Sequence, residues 1–314
     1  MQQADVVVTL EAGRYRLRAP IAGSAYGLVW RAQREDAAGE GAPGELALKL
    51  VNAAEMERAQ PALRRRWSDS AAREIGFLRA LAPWDERHIV RLLDSGTHAG
   101  QPAMALELLD GNLASGPLAP WPRVLGWIGQ INQALAKVHQ YGWHYLDLKP
   151  ANVLRHRDGG VRLADFGTSR LLQEGPAIAY AGTAGWQAPE QFFPAPDGSY
   201  RADARSDYFA LGAMLYYLVT GRRQLRYCHA CGQAYRIHAA GAATALRAQH
   251  GGAIPPTLHE DEAALFSQGV AGSAPALALL RALLAPEPDQ RPRNALAISR
   301  MLGAIAPAES RSAA

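Results

Sequence analysis

Apolar and polar residues alternate along the first third of the chain, in five short stretches. This period of two predicts β-strands with one buried face. The stretches are residues 15–21, 28–33, 46–51, 89–94 and 103–108. Residues 36–44 are rich in Gly, Ala and Pro and predict a loose connection between the second and third strands. The pattern therefore indicates a small antiparallel sheet.

One helical segment interrupts these strands, and helices dominate after residue 110. At 68–81 apolar residues recur at helical spacing, and Ser68 or Ser70 would cap the start of this helix. Further helices are predicted at 127–141, 206–220, 275–284 and 295–302. The helix at 206–220 is apolar nearly all round, which is typical of a buried central helix.

These elements predict an α+β fold with two lobes. A chain of 314 residues exceeds the usual limit for one hydrophobic core, and 48% hydrophobic residues suffice for two. We expect a β-rich N-lobe with one key helix at 1–110 and a larger, mainly helical C-lobe at 111–306. The C-lobe would hold an insertion near 222–256, and residues 307–314 would form a short tail.

Charge and cysteine content narrow the class of protein. The formal charge of +4 is small, which disfavours a role in nucleic-acid binding, and 20% charged residues argue against a disordered chain. Two cysteines cannot form a disulfide framework, and the chain starts without an apolar leader. The longest apolar run, 209–219, is too short to cross a bilayer. We therefore expect a cytoplasmic protein without a membrane anchor.

Two polar loops carry the strongest candidate chemistry. The stretch Asp-Leu-Lys-Pro-Ala-Asn occupies 147–152, and Asp-Phe-Gly follows at 165–167. Phosphoryl transfer requires a carboxylate near the attacking hydroxyl, oxygen ligands for a metal ion and positive charge on the phosphates. A single Asp or Asn in a loop is more often a turn former or a helix cap. The spacing of these two loops favours phosphoryl transfer.

With these loops the sequence resembles the protein kinase superfamily over nearly its whole length. The resemblance is to the eukaryotic-like, or Hanks-type, serine/threonine protein kinases, and the composition suits a bacterial member. It implies the two-lobed protein kinase fold. It also implies that Asp147 accepts the substrate hydroxyl proton, that Lys149 contacts the transferred phosphate, and that Asn152 and Asp165 hold Mg²⁺, with Mn²⁺ as an alternative.

The resemblance assigns the nucleotide side to the first lobe. Lys49 lies in a strand that resembles the kinase strand whose lysine pairs with the α- and β-phosphates of ATP, and Glu74 falls where its carboxylate partner is expected. A buried lysine needs an opposite charge to stay protonated. Leu106 would be the gatekeeper, and Glu107 and Leu109 would belong to the hinge that binds the adenine edge. Apolar residues implied around the adenine are Ile21, Val29, Ala47 and Leu154.

The glycine-rich loop is the poorest match to the family. Read against G-x-G-x-x-G, residues 22–27 keep only the third glycine, Gly27. A loop that covers phosphates needs residues without Cβ atoms, so that backbone N–H groups approach the oxygens. We expect a stiffer lid and weaker nucleotide binding, partly offset if the Ser24 hydroxyl donates a hydrogen bond.

A segment at 182–190 resembles the activation and substrate-docking region of protein kinases. In the family Glu190 would pair with Arg291, and Asp207 would hold the catalytic loop through backbone N–H groups. Lys149 together with Thr183 is the pattern associated with Ser/Thr acceptors. Small-molecule kinases generally lack this segment, so it favours a protein kinase.

The catalytic loop departs from the family pattern in one place. Tyr145 and Leu146 precede Asp147, where kinases usually have His-Arg. That arginine normally meets a phosphate on the activation segment. Residues 170–182 contain no Ser or Thr, and Tyr180 has the only side-chain hydroxyl there. The hypothesis is a non-RD kinase that does not depend on activation-loop phosphorylation, with Tyr145 filling the packing position of the histidine.

The stretch Cys-His-Ala-Cys-Gly at 228–232 has the C-x-x-C-G form of a zinc knuckle. A tetrahedral zinc site needs four ligands. Cys228 and Cys231 supply two, so His238 and His250, or a second chain, would have to complete it. A redox-sensitive thiol pair and the absence of any special role are the alternatives.

The leading reading is a serine/threonine protein kinase that uses ATP and Mg²⁺ and acts on a protein substrate. A pseudokinase scaffold or nucleotide-binding interaction module is the alternative from another class, because the glycine-rich loop is eroded. A small-molecule phosphotransferase is a further alternative. The sequence indicates neither the oligomeric state, nor the physiological substrate, nor the activating signal.

Overall fold

The computed structural model of the protein describes residues 6–35, 44–175 and 182–312, with side chains up to residue 305. The chain forms two compact units. Unit 1 comprises Met1–Asp110 and Ala164–Gly167, and unit 2 comprises Gly111–Leu163 and Thr168–Ala314. The Asp-Phe-Gly stretch at 165–167 therefore groups with the unit that carries Lys49, although its neighbours in sequence belong to unit 2.

Unit 1 is built on a six-stranded antiparallel sheet with the strand order β1-β2-β3-β4-β6-β5. The strands are β1 Val7–Thr9, β2 Arg14–Gly23, β3 Gly27–Arg34, β4 Glu45–Val51, β5 Leu92–His98 and β6 Gln101–Leu106. The structure confirms the five predicted strands and adds β1, which is too short to show a period. The expected loose hairpin falls largely on residues 36–43, outside the described residues.

The two faces of this sheet have different roles. Leu46, Leu48 and Ala105 belong to a buried apolar cluster together with Tyr15 and Leu17 from β2. Side chains along a strand point alternately to opposite faces. Ala47 and Lys49, which alternate with Leu46 and Leu48 on β4, therefore lie on the other face.

Two helices accompany the sheet, α1 Ala53–Arg58 and α2 Arg65–Ala80. The helix expected at 68–81 is α2, but the cap expected from Ser68 or Ser70 was wrong. Arg64 is the N-cap residue and makes no side-chain capping bond, because a 3-10 turn at Pro61–Leu63 leads directly into the helix. Ser68 instead donates to Gln101, and Ser70 donates to the Gly167 carbonyl oxygen.

Unit 2 is mainly helical. Its strands form two short antiparallel pairs, β7 Trp143–His144 with β10 Arg170–Leu171 and β8 Val153–Arg155 with β9 Val161–Leu163. Its helices are α3 Trp121–Gln140, α4 Pro189–Phe192, α5 Ala204–Val219, α6 Arg226–His238, α7 Ala242–Gln249, α8 Glu260–Gly269, α9 Ala274–Leu283 and α10 Ala295–Ser312. The α+β fold class is therefore confirmed.

The central helix of unit 2 is α5, as its apolar sequence predicted, and 12 of its 16 residues are buried. The insertion expected near 222–256 forms α6 and α7, so the C-x-x-C-G stretch is helical and does not form a knuckle loop. α10 continues to Ser312 and so includes most of the residues that we expected to form a short tail at 307–314. Its Ala-rich composition favours helix.

In residues 6–35, 44–175 and 182–312, no helix is both long enough and apolar enough to cross a membrane.

Candidate active site

An ion pair joins β4 to α2 in unit 1. Lys49 Nζ lies 2.6 Å from Glu74 Oε2, and the Glu74 side chain is only 1% exposed. β4 presents Lys49 on the sheet face opposite the apolar cluster, and α2 presents Glu74 on its buried side together with Ile75 and Phe77. The structure thus brings together the two residues that the family resemblance paired.

Asp165 completes a charged group of three around Lys49. Its Oδ1 accepts a hydrogen bond from Lys49 Nζ at 2.9 Å, and its φ of 62° is in the left-handed region. Burial alone would lower the pKa of Lys49, but the carboxylates of Asp165 and Glu74 outweigh it and raise the pKa above its usual value. The ammonium therefore stays charged at neutral pH. Burial raises the pKa of Glu74, and Lys49 opposes that effect.

Packing explains why the Asp-Phe-Gly stretch is held in unit 1. The Phe166 ring stacks on Phe77 of α2 with ring centroids 4.4 Å apart, and both rings are fully buried. A Cβ atom at Gly167 would lie 2.2 Å from Ser70 Oγ, so a larger residue would displace the hydroxyl that donates to the Gly167 carbonyl oxygen. These contacts fix Asp165 beside Lys49.

The residues expected around adenine lie largely on one face of the sheet. Val29 pairs with Lys49, and Ala47 pairs with Leu106, so these side chains share the face that carries the ion pair. Glu107 follows β6, and its backbone N–H donates to the Arg91 carbonyl oxygen at 3.0 Å.

The remaining three residues of this set lie elsewhere. Ile21 is 44% exposed at an irregular part of the β2–β3 pairing. Leu109 follows β6 and is half-buried. Leu154 lies on β8 in unit 2 and forms a bridge with Asn112.

The glycine-poor loop between β2 and β3 is closed by a serine side chain. Ser24 Oγ accepts hydrogen bonds from the backbone N–H groups of Tyr26 at 3.2 Å and Gly27 at 3.1 Å. The same hydroxyl points to the Gly27 carbonyl oxygen at 3.5 Å. The loop N–H groups that would face phosphate oxygens are thus occupied by Ser24. A Cβ atom at Gly27 would lie 3.3 Å from Lys49 Cε, a tight contact that would push on the lysine side chain.

Two side chains outside the loop hold its backbone. Trp67 of α2 donates from Nε1 to the Ala25 carbonyl oxygen at 2.7 Å, and its ring lies 4.9 Å from the Tyr26 ring. Asn52 donates from Nδ2 to the Ser24 carbonyl oxygen at 2.9 Å. The loop is therefore linked directly to the helix that carries Glu74.

A second polar cluster surrounds Asp147 in unit 2. Lys149 Nζ donates to Asp147 Oδ2 at 2.8 Å and to Thr183 Oγ1 at 2.6 Å. Thr183 in turn donates to Asp147 Oδ1 at 2.7 Å, and Asn152 Nδ2 donates to Asp147 Oδ2 at 3.1 Å. A carboxylate that accepts three such bonds is fixed in orientation. The structure thus brings together four of the predicted site residues.

Asp207, in the first turn of α5, holds the backbone just before Asp147. It is fully buried and accepts from the backbone N–H groups of Tyr145 at 2.9 Å and Leu146 at 2.7 Å. This confirms the expected role of Asp207. His139 of α3 lies 2.8 Å from the same carboxylate, a partner that the sequence did not reveal. Leu146 has a φ of 64°, and these bonds hold that strained backbone.

The expected pair of Glu190 and Arg291 is confirmed. Arg291 binds Glu190 through both terminal nitrogens, at 2.7 and 2.9 Å, and is 3% exposed. Its other bonds go to backbone carbonyl oxygens, including that of Arg205 at 3.0 Å. A bidentate pair with all donors used is the form in which a buried charge is stable.

Cys228 and Cys231 are free thiols on α6, and each is 1% exposed. Burial raises the pKa of both, that of Cys231 to about 12. Among the residues that the structure describes, no group of three or more His, Cys, Asp or Glu side chains is placed to hold a metal ion. His238 and His250, both described and exposed, therefore do not complete a zinc site with these cysteines.

Comparison with known proteins gives the family. The sequence pattern of the protein kinase domain matches residues 26–301, starting inside the glycine-poor loop. The serine/threonine-protein kinase PknL of Mycobacterium tuberculosis is 34% identical over 152 residues, which are 46% of this chain and 37% of PknL. The serine/threonine-protein kinase PkaA of Streptomyces coelicolor is 33% identical over 228 residues, 67% of this chain and 39% of PkaA.

A third relative is the DNA damage-responsive serine/threonine-protein kinase RqkA of Deinococcus radiodurans. It is 34% identical over 226 residues, 68% of this chain and 30% of RqkA. The matched part of this chain thus spans less than two fifths of each relative's length. Because the domain pattern covers most of the chain and includes both polar loops, the chain belongs to the protein kinase family, among relatives that are bacterial serine/threonine kinases of the eukaryotic-like type.

Proposed function

We propose that the chain transfers the γ-phosphoryl group of ATP to serine and threonine hydroxyls of protein substrates. The observation that carries this proposal is the cluster of Asp147, Lys149 and Thr183. Thr183 Oγ1 accepts a hydrogen bond from Lys149 and donates one to Asp147. One hydroxyl therefore contacts both of these side chains of the catalytic loop. In kinases such a carboxylate receives the acceptor proton while a neighbouring cation faces the phosphate.

The roles in unit 1 follow from charge. Lys49 keeps its ammonium protonated between Glu74 and Asp165, and that ammonium is the group that would bind the α- and β-phosphates. Carboxylate and amide oxygens are ligands that Mg²⁺ accepts, with phosphate oxygens and water completing its shell. Asp165 and Asn152 are the side chains we propose for this metal. Mg²⁺, when bound, would neutralise charge that develops on the phosphates.

The acceptor side follows from the same chemistry. The hydroxyl oxygen of the substrate bonds to the γ-phosphorus while the bond from that phosphorus to the β–γ bridging oxygen breaks. The hydroxyl proton passes to Asp147, and Lys149 balances the charge on the transferred group. ADP leaves with the bridging oxygen.

The experiment uses labelled ATP with a peptide mixture that has a fixed central Ser, Thr or Tyr. We expect transfer to Ser and Thr peptides, and loss of that transfer in Asp147→Asn. Asp197→Asn is the matched control, because Asp197 is an exposed carboxylate that bonds to its sequence neighbours Ser199 and Arg201. Equal activity of the Asp147 variant and the wild type would contradict the proposal.

We further propose that activity does not depend on phosphorylation of the activation loop. Leu146 replaces the arginine that would meet such a phosphate. Arg170 on β10 is already paired, because its Nε lies 3.2 Å from Glu174 Oε2 and its Nη2 donates to the carbonyl oxygens of Glu174 and Gly175. The carboxylate of Glu174 thus supplies a negative charge that in other kinases comes from a phosphate. Tyr180 lies outside the described residues.

Treatment with a phosphatase tests this second proposal. Dephosphorylated protein, checked by intact mass, should keep its initial rate on the Ser/Thr peptides. Tyr180→Phe should behave in the same way. A dephosphorylated form that is inactive and recovers after incubation with ATP would refute independence from the loop.

A pseudokinase scaffold is the second candidate function, favoured by the closure of the glycine-poor loop. Ser24 occupies the N–H groups of Tyr26 and Gly27, which a bound nucleotide would need. The two candidates differ in the labelled-ATP assay. A scaffold would bind protein partners without transferring phosphate, and Asp147→Asn would leave that binding unchanged.

A further inference from the structure

The C-x-x-C-G stretch has a place in the fold that neither zinc binding nor redox chemistry explains. It lies in the first half of α6, where Tyr227, Cys228 and Cys231 are each 1% exposed. The Tyr227 ring packs edge-on against Phe209 of the central helix α5, with centroids 5.5 Å apart. Raised pKa values keep both thiols protonated, so they act as small apolar groups. α6 is therefore fixed firmly to the core of unit 2.

One side of this helix contacts the docking segment, which we define as residues 182–190. Gly185 has a φ of 95°, and a Cβ atom there would lie 3.0 Å from the Cys228 carbonyl oxygen and 3.1 Å from Gln224 Nε2. Gln224, two residues before α6, donates from that nitrogen to the Gly185 carbonyl oxygen at 2.6 Å. The backbone at Gly185 is thus held against the start of α6.

The glycine of the C-x-x-C-G stretch makes room for the same segment. An ideal Cβ atom on Gly232 would lie 3.5 Å from the Ala184 carbonyl oxygen and 3.6 Å from Gly185 Cα, which are ordinary contact distances. A methyl group therefore fits there in direct contact with the segment, and a longer side chain would have to be placed in the same space. Gly232 therefore permits the close approach of helix and segment.

The opposite side of the segment meets the catalytic loop. Thr183 donates to Asp147 and accepts from Lys149, as described above. A Cβ atom at Gly182 would lie 2.9 Å from the Leu146 carbonyl oxygen, and Gly182 has a φ of 103°. Residues 182–185 are thus held between the catalytic loop and α6. Any displacement at Ala184 or Gly185 is transmitted over one or two residues to Thr183.

We infer that Gln224 and Gly232 are positioning residues for the polypeptide acceptor. They act through the docking segment and touch no group assigned to the nucleotide. The inference rests on the proposed kinase activity and adds to it that affinity for the acceptor depends on α6. Cys228 and Cys231 contribute as buried packing residues with no metal bound.

The first test is Gln224→Glu, which keeps the shape of the side chain and replaces the donor by a carboxylate that faces a carbonyl oxygen. Gln233→Glu is the matched control, since it adds the same charge to an exposed position of α6. We expect KM for the best Ser or Thr peptide of the mixture to rise about tenfold in Gln224→Glu, on the scale of one lost hydrogen bond with added repulsion. KM for ATP should stay within about twofold, and the control should match the wild type.

The second test is a size series at Gly232. Gly232→Ala should raise the peptide KM less than Gly232→Leu, because the alanine methyl group meets the Ala184 carbonyl oxygen at an ordinary contact distance and leucine adds bulk at the same point. Thermal melting of each variant identifies loss of folded protein, which lowers kcat and leaves both KM values unchanged. A variant that no longer folds is replaced by Gly232→Val in the series.

The outcomes separate the inference from the proposed function. If the wild type transfers no phosphate to any peptide, the proposed function fails. If the wild type is active and folded Gln224→Glu has an unchanged peptide KM, the inference fails. A parallel rise in KM for ATP and for peptide would also overturn it. One equivalent of zinc in untagged, purified protein would overturn the packing role of the cysteines.

Discussion

The two polar clusters of this kinase are opposite in sign. In unit 1 a single ammonium, Lys49, is shared by the carboxylates of Glu74 and Asp165. In unit 2 a single carboxylate, Asp147, is shared by the donors of Lys149, Thr183 and Asn152. Removal of the centre therefore has different consequences. It leaves the nearly fully buried carboxylate of Glu74 without its cation in unit 1, and a more exposed ammonium with two neutral donors in unit 2.

The two units combine function with stability in different ways. Glu74 is 1% exposed and depends on Lys49 for its charged state, so the ion pair is part of the folded structure of unit 1. Asp147 is held by two neutral donors and by an ammonium that is 21% exposed to solvent. Substitution at the first centre should thus change stability, and substitution at the second should change mainly the rate.

The largest expected effect is on the rate, from Asp147→Asn. Loss of a general base lowers kcat by about 10²- to 10⁴-fold. Nucleotide affinity should remain, because Asp147 is assigned to the acceptor hydroxyl, and Lys49, assigned to the α- and β-phosphates, is unchanged. Initial rates with a Ser or Thr peptide and a nucleotide titration measure the two quantities. If Asp147→Asn kept the wild-type kcat, the unit 2 cluster would have no special role in the rate.

Next in size is the effect of Lys49→Met on the stability of unit 1. Loss of one partner of a buried pair costs about 3–5 kcal/mol, and the 17% exposure of the Lys49 side chain favours the lower end. Lys137→Met, which removes a half-buried lysine of α3 outside both clusters, is the control. Urea unfolding at neutral pH measures the difference. The double variant Lys49→Met, Glu74→Gln should recover much of the loss, and equal midpoints for the single and double variants would contradict the explanation.

The same variant should show a pH dependence of defined sign. Burial raises the pKa of Glu74, and without Lys49 nothing on β4 opposes that rise. The folded state then binds the proton more tightly than the unfolded state, so the free energy of unfolding falls as pH rises. In the wild type the raised pKa of Lys49 keeps the pair intact below the usual lysine pKa of about 10.4. Urea midpoints at pH 5 and pH 8 should therefore differ more in the variant.

A smaller effect is expected from Glu174→Gln, which tests whether unit 2 needs its own cation–carboxylate pair. Arg170 and Glu174 are 22% and 36% exposed, and such pairs contribute at most about 1 kcal/mol. The initial rate of Glu174→Gln should be about two- to fivefold below that of the wild type. Added salt should lower the wild-type rate toward that of the variant. Asp158→Asn, in another exposed pair, is the control. An unchanged rate would mean that Arg170 needs no counter charge.

The smallest effect is expected from Ser24→Gly in unit 1. The change frees the N–H groups of Tyr26 and Gly27 for phosphate oxygens but makes the loop less ordered, so the two effects partly cancel. The nucleotide Kd should fall about two- to threefold. Ser24→Ala, which frees the same groups and keeps a Cβ atom, should lie between this variant and the wild type. A weaker affinity in both would show that Ser24 supports nucleotide binding.

The sequence predicted the fold and the polar loops well because both depend on local patterns. Five strands follow from alternation, α5 follows from its apolar surface, and Asp147 and Asp165 lie in short stretches with a fixed spacing. The register that places Val29 opposite Lys49 required the pairing of separate strands. The bond from Thr183 to Asp147 spans 36 residues, and only the fold brings them together.

The predictions that failed concern segments whose conformation depends on contacts with distant parts of the chain. The C-x-x-C-G stretch suggested a knuckle, yet it forms part of a helix whose buried side contacts α5 and the docking segment. Trp67 and His139 have ordinary helical positions in the sequence. Their partners, the Ala25 carbonyl oxygen and Asp207, are 42 and 68 residues away. A Trp or His on the buried side of a helix was the available signal, but it does not identify the partner.

The link from Trp67 to the loop of residues 22–27 has a thermodynamic consequence. The helix that presents Glu74 and the lid that would cover a nucleotide share one hydrogen bond and one ring contact. Coupling between two equilibria is reciprocal. A nucleotide that orders the lid therefore also changes the affinity of this helix for a protein partner. That partner changes the affinity for the nucleotide by the same factor.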